Sequence, residues 1–367
     1  MQAFNVSAGA PGNADTAAIK SLFSPMRFTT VDGGFQHAVG LDPVGFAYSW
    51  GRNDKGQLGV GNVASANTPQ RIGIFSNVLS ISAGQYHTMM VASDGRLYGT
   101  GTYVNGALGN GQASGQTNVM SPVVGAAGSR TWSAVYSLNY TNLGLSQDNI
   151  LYTWGSRYGN DTSDTYNDLV PAALTGMRGP FQSISAGDRF CAAIDVNGDM
   201  YLWGNNSYFQ CAPAGQSTGT VVYPALVTAL PQNVLRFSMV AVGLSHGLAV
   251  DETGTTLWAW GTGQLGQLGL GQGTLRTQQM LQVQLPANTV QIIKIYAAVS
   301  QSAALLRMSD GTMQVAVWGL NNYGQATGMG TSAATRIYTP FTTQGTLDYK
   351  NWFAMGLGAD FTLAMAG

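Results

Sequence analysis

The amino-acid sequence predicts an all-β protein, a seven-bladed β-propeller of four-stranded antiparallel blades closed by N- and C-terminal strands in one blade. Three observations predict it. A Trp-Gly phrase recurs as Trp50-Gly51, Trp154-Gly155, Trp203-Gly204, Trp260-Gly261 and Trp318-Gly319, with Thr100-Gly101 as a worn copy. A glycine turn followed by an apolar run precedes each copy. With Gly34, Gly84, Leu138, Gly187, Gly243, Ala298 and Gly358 as equivalent positions, the steps are 50, 54, 49, 56, 55 and 60 residues, the signature of a repeat array. Finally, only 9% of the 367 residues are charged, and sixteen Asp stand against one Glu (Glu252) and twelve Arg against four Lys, so the long helix formers Glu and Lys are nearly absent.

Each repeat reads in a fixed order. Strand A ends at the glycine turn and strand B is the apolar run after it. Ser93-Asp94-Gly95, Asn197-Gly198, Thr253-Gly254 and Asp310-Gly311 then supply the residues that tolerate positive φ in a tight hairpin. Strand C closes on Trp-Gly, and a second glycine follows five positions later in Gly51/Gly56, Gly101/Gly106, Gly261/Gly266 and Gly319/Gly324. Pro69, Pro122, Pro171, Pro224 and Pro340 are expected to open strand D, because a residue without a backbone donor suits the start of an edge strand. The last repeat stops at strand B, residues 361–366, so its missing partners are expected from residues 3–7 and 24–28, where Ser24-Pro25-Met26 echoes Thr68-Pro69-Gln70. Residues 1–30 are accordingly read as an N-terminal segment contributing strands to the closing blade, and 31–367 as the propeller repeats, the two forming one domain.

Three phrases carry a family resemblance: Ala-Gly-x-x-His-Thr before strand B (Ala83 to Thr88), Trp-Gly-x-Asn-x-x-Gly-Gln-Leu-Gly after strand C (Trp50 to Gly59), and the proline-bearing fourth strand. In these the chain resembles the regulator of chromosome condensation repeat family over residues 31–367, most closely in the first, second and fifth repeats. Thr100 in place of Trp, Phe209 and Cys211 within the fourth Gly-Gln-Leu-Gly, and the partial Gly-Gln-Ala-Thr-Gly at 324–328 depart from the pattern. The resemblance implies a seven-bladed propeller and, among family members, a guanine-nucleotide exchange factor for a Ran-type GTPase that works through one propeller face. Some similar propellers inhibit secreted enzymes through loops on a single face.

Residue types that could carry chemistry are read conservatively. His37, His87 and His246 share one repeat phase, but they belong to different blades and cannot converge on a metal, so they are expected to be packed, hydrogen-bonded turn residues. The acidic stretch 160–168, with Asp161, Asp164 and Asp168, lacks a glycine-centred calcium loop and is read as a solvated C–D loop. Cys191 and Cys211 are expected to be reduced and buried, and the repeat Trp residues to fill the wedges between blades. With one Glu and three repeat-phase His the acid/base inventory is poor, so neither an enzyme nor a cofactor or metal site is expected.

A net charge of −1 with no basic run argues against nucleic acid as a partner. The first residues lack a secretory pattern, and no stretch is long and apolar enough to insert in a membrane. Few Lys and Glu, abundant Gly, Ser, Thr, Asn and Gln, and no export signal together suggest a structural virion component such as a bacteriophage tail, fibre or surface protein for host attachment. It would be made in the host cytoplasm and engage assembly proteins or a host receptor. The alternatives are a guanine-nucleotide exchange factor-like regulator of a small GTPase and an inhibitor-like binder of a secreted enzyme, and the alternative location is cytoplasmic. The working surface is placed on the end that carries the A–B turns and the long C–D loops, with contacts expected from Tyr103, Asn118, Tyr158, Tyr166, Tyr208, Phe209 and Tyr323. Deletion of residues 1–30 is expected to lower the thermal unfolding midpoint of the whole protein sharply, and an unchanged midpoint in a melting experiment would mark the segment as a free arm.

Overall fold

The computed structural model describes residues 2–7, 27–123, 130–156, 167–177, 179–188, 190–215, 219–322, 336–342, 352–359 and 361–366. It is all-β, and its strands form antiparallel sheets of the propeller-blade kind. β1 (Gln2–Ser7) comes first in the chain. The first blade is β2 (Thr30–Gly33), β3 (His37–Leu41), β4 (Ala47–Gly51) and β5 (Ala66–Arg71); the second is β6 (Ser80–Ala83), β7 (His87–Val91), β8 (Leu97–Thr102) and β9 (Gln116–Pro122). The third is β10 (Trp132–Leu138), β11 (Thr141–Ser146), β12 (Leu151–Ser156) and β13 (Asn167–Ala173); the fourth is β14 (Phe181–Ala186), β15 (Phe190–Asp195), β16 (Met200–Asn205) and β17 (Thr220–Leu226). The fifth is β18 (Phe237–Val242), β19 (His246–Asp251), β20 (Leu257–Thr262) and β21 (Arg276–Val283); the sixth is β22 (Thr289–Ala297), β23 (Gln301–Met308), β24 (Met313–Leu320) and β25 (Arg336–Thr342).

Among the described residues the expected count of seven four-stranded blades is corrected to six. The remaining sheet has three strands in the order β1-β27-β26, with β26 (Trp352–Leu357) and β27 (Phe361–Ala366). Gln2–Ser7 pairs antiparallel with Phe361–Ala366, from Gln2 opposite Ala366 to Ser7 opposite Phe361. No fourth strand joins this sheet among the described residues: positions 24–26 of the expected strand lie outside them, and Arg27 and Phe28 are not in a strand. Phe28 is instead a core residue whose ring stacks on Trp50 at 5.5 Å and meets Tyr48 edge-on at 5.6 Å.

The described chain divides into two compact units. Arg27–Pro180 with Ala186–Arg189 contains the first three blades, and Phe181–Ser185 with Phe190–Gly367 and the N-terminal strand contains the remainder. Within each, the core lies in the seams between neighbouring sheets. Met89, Val91 and Leu97 of the second blade pack with Trp132, Val135 and Trp154 of the third, and Leu248, Leu257 and Leu268 of the fifth with Ile292, Leu306 and Trp318 of the sixth. The inner strands are also cross-linked by serine. Ser82 donates to Asp32 (2.7 Å) and accepts from the Ser137 amide (2.9 Å), while Ser183 and Ser185 accept from the Val240 and Val242 amides (3.0 Å each). These hydroxyls satisfy backbone groups on the edge that strand A leaves unpaired by its own sheet.

The Trp-Gly phrase has a backbone explanation. Gly51, Gly101, Gly155, Gly204, Gly261 and Gly319 all have positive φ, between 85° and 114°. A Cβ on Gly51 would stand 2.6 Å from the Gln36 carbonyl oxygen, and those on Gly101, Gly155, Gly261 and Gly319 would meet the same turn carbonyl of their own blades. That carbonyl accepts the amide of the residue after the glycine, as in Arg52 to Gln36 (2.8 Å) and Leu320 to Ser300 (2.9 Å). The glycine is therefore required both by its φ and by the closeness of the A–B turn.

Proline does not open strand D. In each blade three residues of strand D bulge opposite the Trp position: pairing jumps from Ser49↔Gln70 to Gly51↔Ala66, and from Val317↔Phe341 to Gly319↔Ile337. Pro69, Pro171, Pro224 and Pro340 are the last residue of that bulge, where no ladder donor is needed, and Pro122 ends β9 opposite Tyr98. A residue without a backbone donor is accommodated by a bulge as well as by a strand start.

Replacing Gly51 with Ala is expected to cost about 2–4 kcal/mol in urea unfolding. The same change at Gly61, whose Cβ would meet nothing within 4 Å, should cost only about 1 kcal/mol.

Candidate interaction face

One end of every blade carries the A–B turn and the C–D loop. The sequence places recognition on those loops, but the structure uses much of them internally. The Gly-Gln-Leu-Gly segment of one blade docks on strand D of the next: the amides of Gly61, Gly111 and Gly271 donate to the carbonyls of Asn118 (2.8 Å), Leu169 (2.9 Å) and Tyr338 (2.9 Å). Leu58, Leu108 and Leu268 are buried there. Side chains at Gly56 and Gly266 would run into the backbone of Thr117 and Ile337. Trp318 donates through its indole to Gln267 O (2.9 Å) and Trp260 to Gln210 O (2.7 Å), each reaching the loop of the preceding blade. Thr100, where the Trp is missing, makes the corresponding donation through its hydroxyl to Gly56 O (2.8 Å).

The histidines belong to the same seams. Thr88 gives its hydroxyl proton to Gln57 O (2.8 Å), so it accepts from Nε2 of His37 (3.0 Å). Ser302 gives its proton to Gln267 O (2.8 Å) and accepts from Nε2 of His246 (2.9 Å). Asn142 donates to Ala107 O (2.9 Å), which directs its Oδ1 at Ser137 Oγ (2.6 Å) and Nε2 of His87 (2.8 Å). In all three the network puts the proton on Nε2, and each ring is neutral and buried. Burial lowers the pKa from the ordinary 6.5 to about 3 at His37, with His87 adding repulsion, and to about 4 at His87 and His246.

The candidate contact residues separate accordingly. Tyr103 is half-buried and packs against the core cluster of the second and third blades. Asn118 lies in β9, and its backbone serves the seam to the first blade. Tyr208 is 40% exposed, and Phe209 beside it adopts φ +68° under the Arg276 guanidinium, 5.1 Å from the ring centroid. Tyr158, Tyr166 and Tyr323 lie outside the described residues, as do Asp161 and Asp164 of the acidic stretch; Asp168 lies in β13 opposite Gly155. Cys191 and Cys211 are buried and form no disulfide, and burial pushes the Cys211 thiol up. Among the described residues no three His, Cys, Asp or Glu side chains cluster closely enough to hold a metal ion.

The structure also assembles a feature the sequence reading passed over. At the A–B turns of the first three blades Phe35, Tyr86 and Tyr140 form a row, with ring centroids 6.2 Å apart between the first two and 6.5 Å between the last two. Arg52 stands 5.3 Å over the Tyr86 ring, bonded to Asp54 (2.6 Å) and Gln36 (2.7 Å). At the far end Asn139 donates to Asp188. Burial, then Tyr86 and Asp188, push the Tyr140 hydroxyl up to about 12, so it remains a donor. All three rings are partly exposed. A signal was present in the sequence, since one of the two residues before the repeat-phase histidine position is aromatic in each of these blades: Phe35, Tyr86 and Tyr140.

Comparison with known proteins places these features. The regulator of chromosome condensation (RCC1) repeat matches residues 45–91 and 197–250, and a second form of the same repeat matches 78–107 and 181–210. The Arabidopsis thaliana ultraviolet-B receptor UVR8 is 32% identical over 277 residues, covering 70% of this chain and 59% of the receptor. The Mus musculus regulator of chromosome condensation is 28% identical over 273 residues, covering 66% of this chain and 62% of that protein. The chain thus spans about three fifths of the length of these relatives. Among solved structures, Prp20p of Saccharomyces cerevisiae superimposes with a TM-score of 0.75 at 20% identity, covering 91% of this chain and 81% of that one. Human WBSCR16 does so with 0.75 at 17%, covering 94% and 88%. Both share the fold.

The buried histidines make stability depend on pH in a defined direction. Above pH 6.5 they are neutral in both states and cost nothing; below it the unfolded chain binds protons that the folded chain refuses, so stability falls with pH until the folded values near 3 and 4 are reached. Between pH 6.5 and 5, urea unfolding should lose up to about 1.4 kcal/mol per pH unit for each histidine. His246→Gln should reduce that slope by about one part in three, and an unchanged slope would show that His246 is not held neutral.

Proposed function

Since this chain belongs to the regulator of chromosome condensation repeat family, we propose that it is a non-catalytic propeller that binds another protein through the blade end bearing the A–B turns, and that its role is regulation of a small GTPase of the Ran type. The observation that carries the binding reading is the row Phe35, Tyr86, Tyr140 with Arg52. Aromatic and arginine side chains on a rigid support dominate the energetics of protein interfaces, because they bury large area at small entropic cost. None of the repeat motifs needs these side chains: the turns are held by the backbone carbonyls of Gln36, Tyr86 and Tyr140, and in the first two blades by His37 and His87.

The regulator reading takes its support from the kind of relatives the chain has. The mouse relative is itself a regulator of chromosome condensation, and the study of the yeast structure concerns its binding to Gsp1p and histones. The virion reading drawn from composition has no such support among the relatives named above, and the regulator reading replaces it. With a net charge of −1 the chain offers little attraction to nucleic acid, so a protein partner is favoured.

The test is release of a fluorescent guanine nucleotide from a Ran-type GTPase mixed with the full chain. Acceleration that falls at least about tenfold in an Arg52→Ala, Tyr86→Ala double variant is expected. No acceleration by the unaltered chain removes the GTPase reading. Photo-crosslinkers introduced at Tyr86 and, at the hairpin end of the neighbouring first blade, at the exposed Ile74 then test the face on its own: products from position 74 alone would overturn the placement.

A further inference from the structure

The fourth to sixth blades carry a second surface on their loop end, built where the repeat departs from its own pattern. Position 209 corresponds to Gly56, Gly106 and Gly266, all glycines with φ between 74° and 86°. Phe209 keeps that left-handed conformation, with φ +68°, although a bulky side chain adopts it only under strain. The ring is not in the core. It is half-exposed, next to Tyr208 at 40% exposure, and Arg276 lies across it at 5.1 Å.

Arg276 opens β21 opposite Thr262, and Arg336 opens β25 opposite Leu320, so both stand at the loop end of their blades. Each reaches back to the C–D loop of the preceding blade, Arg276 to Phe209 and Arg336 to Gln264 O (3.2 Å). Both are exposed, and neither makes an ion pair among the described residues. Of the carboxylates described in these blades, Asp195, Asp199, Asp251, Glu252 and Asp310 occupy the B–C hairpins or their borders, while Asp188, in the A–B turn of the fourth blade, is buried and accepts from Asn139. The loop end of these blades thus carries Arg276 and Arg336 with no exposed carboxylate among the described residues, while the hairpin end mixes carboxylates with Arg236 and Arg307.

We propose that Tyr208, Phe209, Arg276 and Arg336 form a docking platform for an acidic segment of a partner protein that also carries an aromatic or apolar residue. The proposal rests on the reading above that the blades bind through their loop ends, and it gives the loop ends of the fourth to sixth blades a partner chemistry. The two guanidinium groups offer forked donors to Asp and Glu side chains. The Tyr208 and Phe209 rings offer the apolar anchor between them. The strained backbone at 209 has a use in this arrangement, because it sets the Phe209 ring beneath the Arg276 guanidinium.

The test uses the full-length chain and a fluorescein-labelled peptide of Glu and Asp around a central Phe, followed by fluorescence anisotropy. Binding that weakens as salt is raised is expected, with a loss of roughly tenfold or more in Arg276→Glu, Arg336→Glu. Arg236→Glu at the hairpin end should leave it unchanged. Phe209→Gly separates docking from packing: binding should fall several-fold while the unfolding midpoint stays level or rises, since glycine relieves the left-handed strain. Equal binding by a polylysine peptide, full binding by the double variant, or a lowered midpoint in Phe209→Gly would each overturn the proposal. So would concentration-dependent self-association in sedimentation that the double variant abolishes, which would make the occupant a second copy. If the peptide fails while crosslinking at Tyr86 still captures a partner, this proposal falls and the loop-end reading stands.

Discussion

The structure depends on one close approach: the carbonyl of the A–B turn lies against the place that a Cβ on the Trp-Gly glycine of strand C would take. Glycine at that point lets the two hairpins of a blade meet, and the next amide bonds the same carbonyl, as Arg52 does to Gln36. From there the chain is directed into the C–D loop, which crosses to the neighbouring blade. The loop glycines, the buried leucines and the indole or hydroxyl donors that follow are all consequences of that exit. A larger residue at the end of strand C would displace the turn, and with it the loop that forms the seam.

The seams account for the polar residues in an otherwise apolar interior. A blade pair brings backbone carbonyls of one loop against the B strand of the next, and each carbonyl needs a donor once water is excluded. Thr88, Asn142 and Ser302 supply it, and the three histidines in turn supply donors to them. The cost is that the imidazoles must stay neutral. The benefit is a directional contact between blades, which apolar packing alone does not provide.

Recognition falls to the positions this framework leaves unassigned. In the first three blades these are the turn residues Phe35, Tyr86 and Tyr140; in the later blades they are Tyr208 and Phe209 with the arginines that open strand D. Departure from the repeat is informative in two ways. Thr100 preserves the lost donor of the Trp and is a structural compensation, whereas Phe209 puts a bulky side chain at a left-handed position where the other copies have glycine. A family defined by its seam residues can thus vary its partners without altering its fold, because different side chains do the two jobs.

The all-β class, the repeat length, the order of strands within a blade and the burial of the tryptophans were legible in the sequence, because local turn chemistry and the fifty-residue period report directly on a repeated unit. The number of complete blades was not: Gln2–Ser7 meets Phe361–Ala366 through a pairing of residues at opposite ends of the chain, and no local pattern states how many strands that sheet holds. The prolines were recognised as positions without a donor, but the bulge that tolerates them is a property of the register between two strands. Of the candidate contacts, Tyr103 and Asn118 looked like loop tips because they lie between strands in the sequence, while the docking of one blade on the next turns both toward the seam. The aromatic row was overlooked for the converse reason. Its members are about fifty residues apart along the chain, and only the lateral stacking of blades brings Phe35, Tyr86 and Tyr140 within reach of one another.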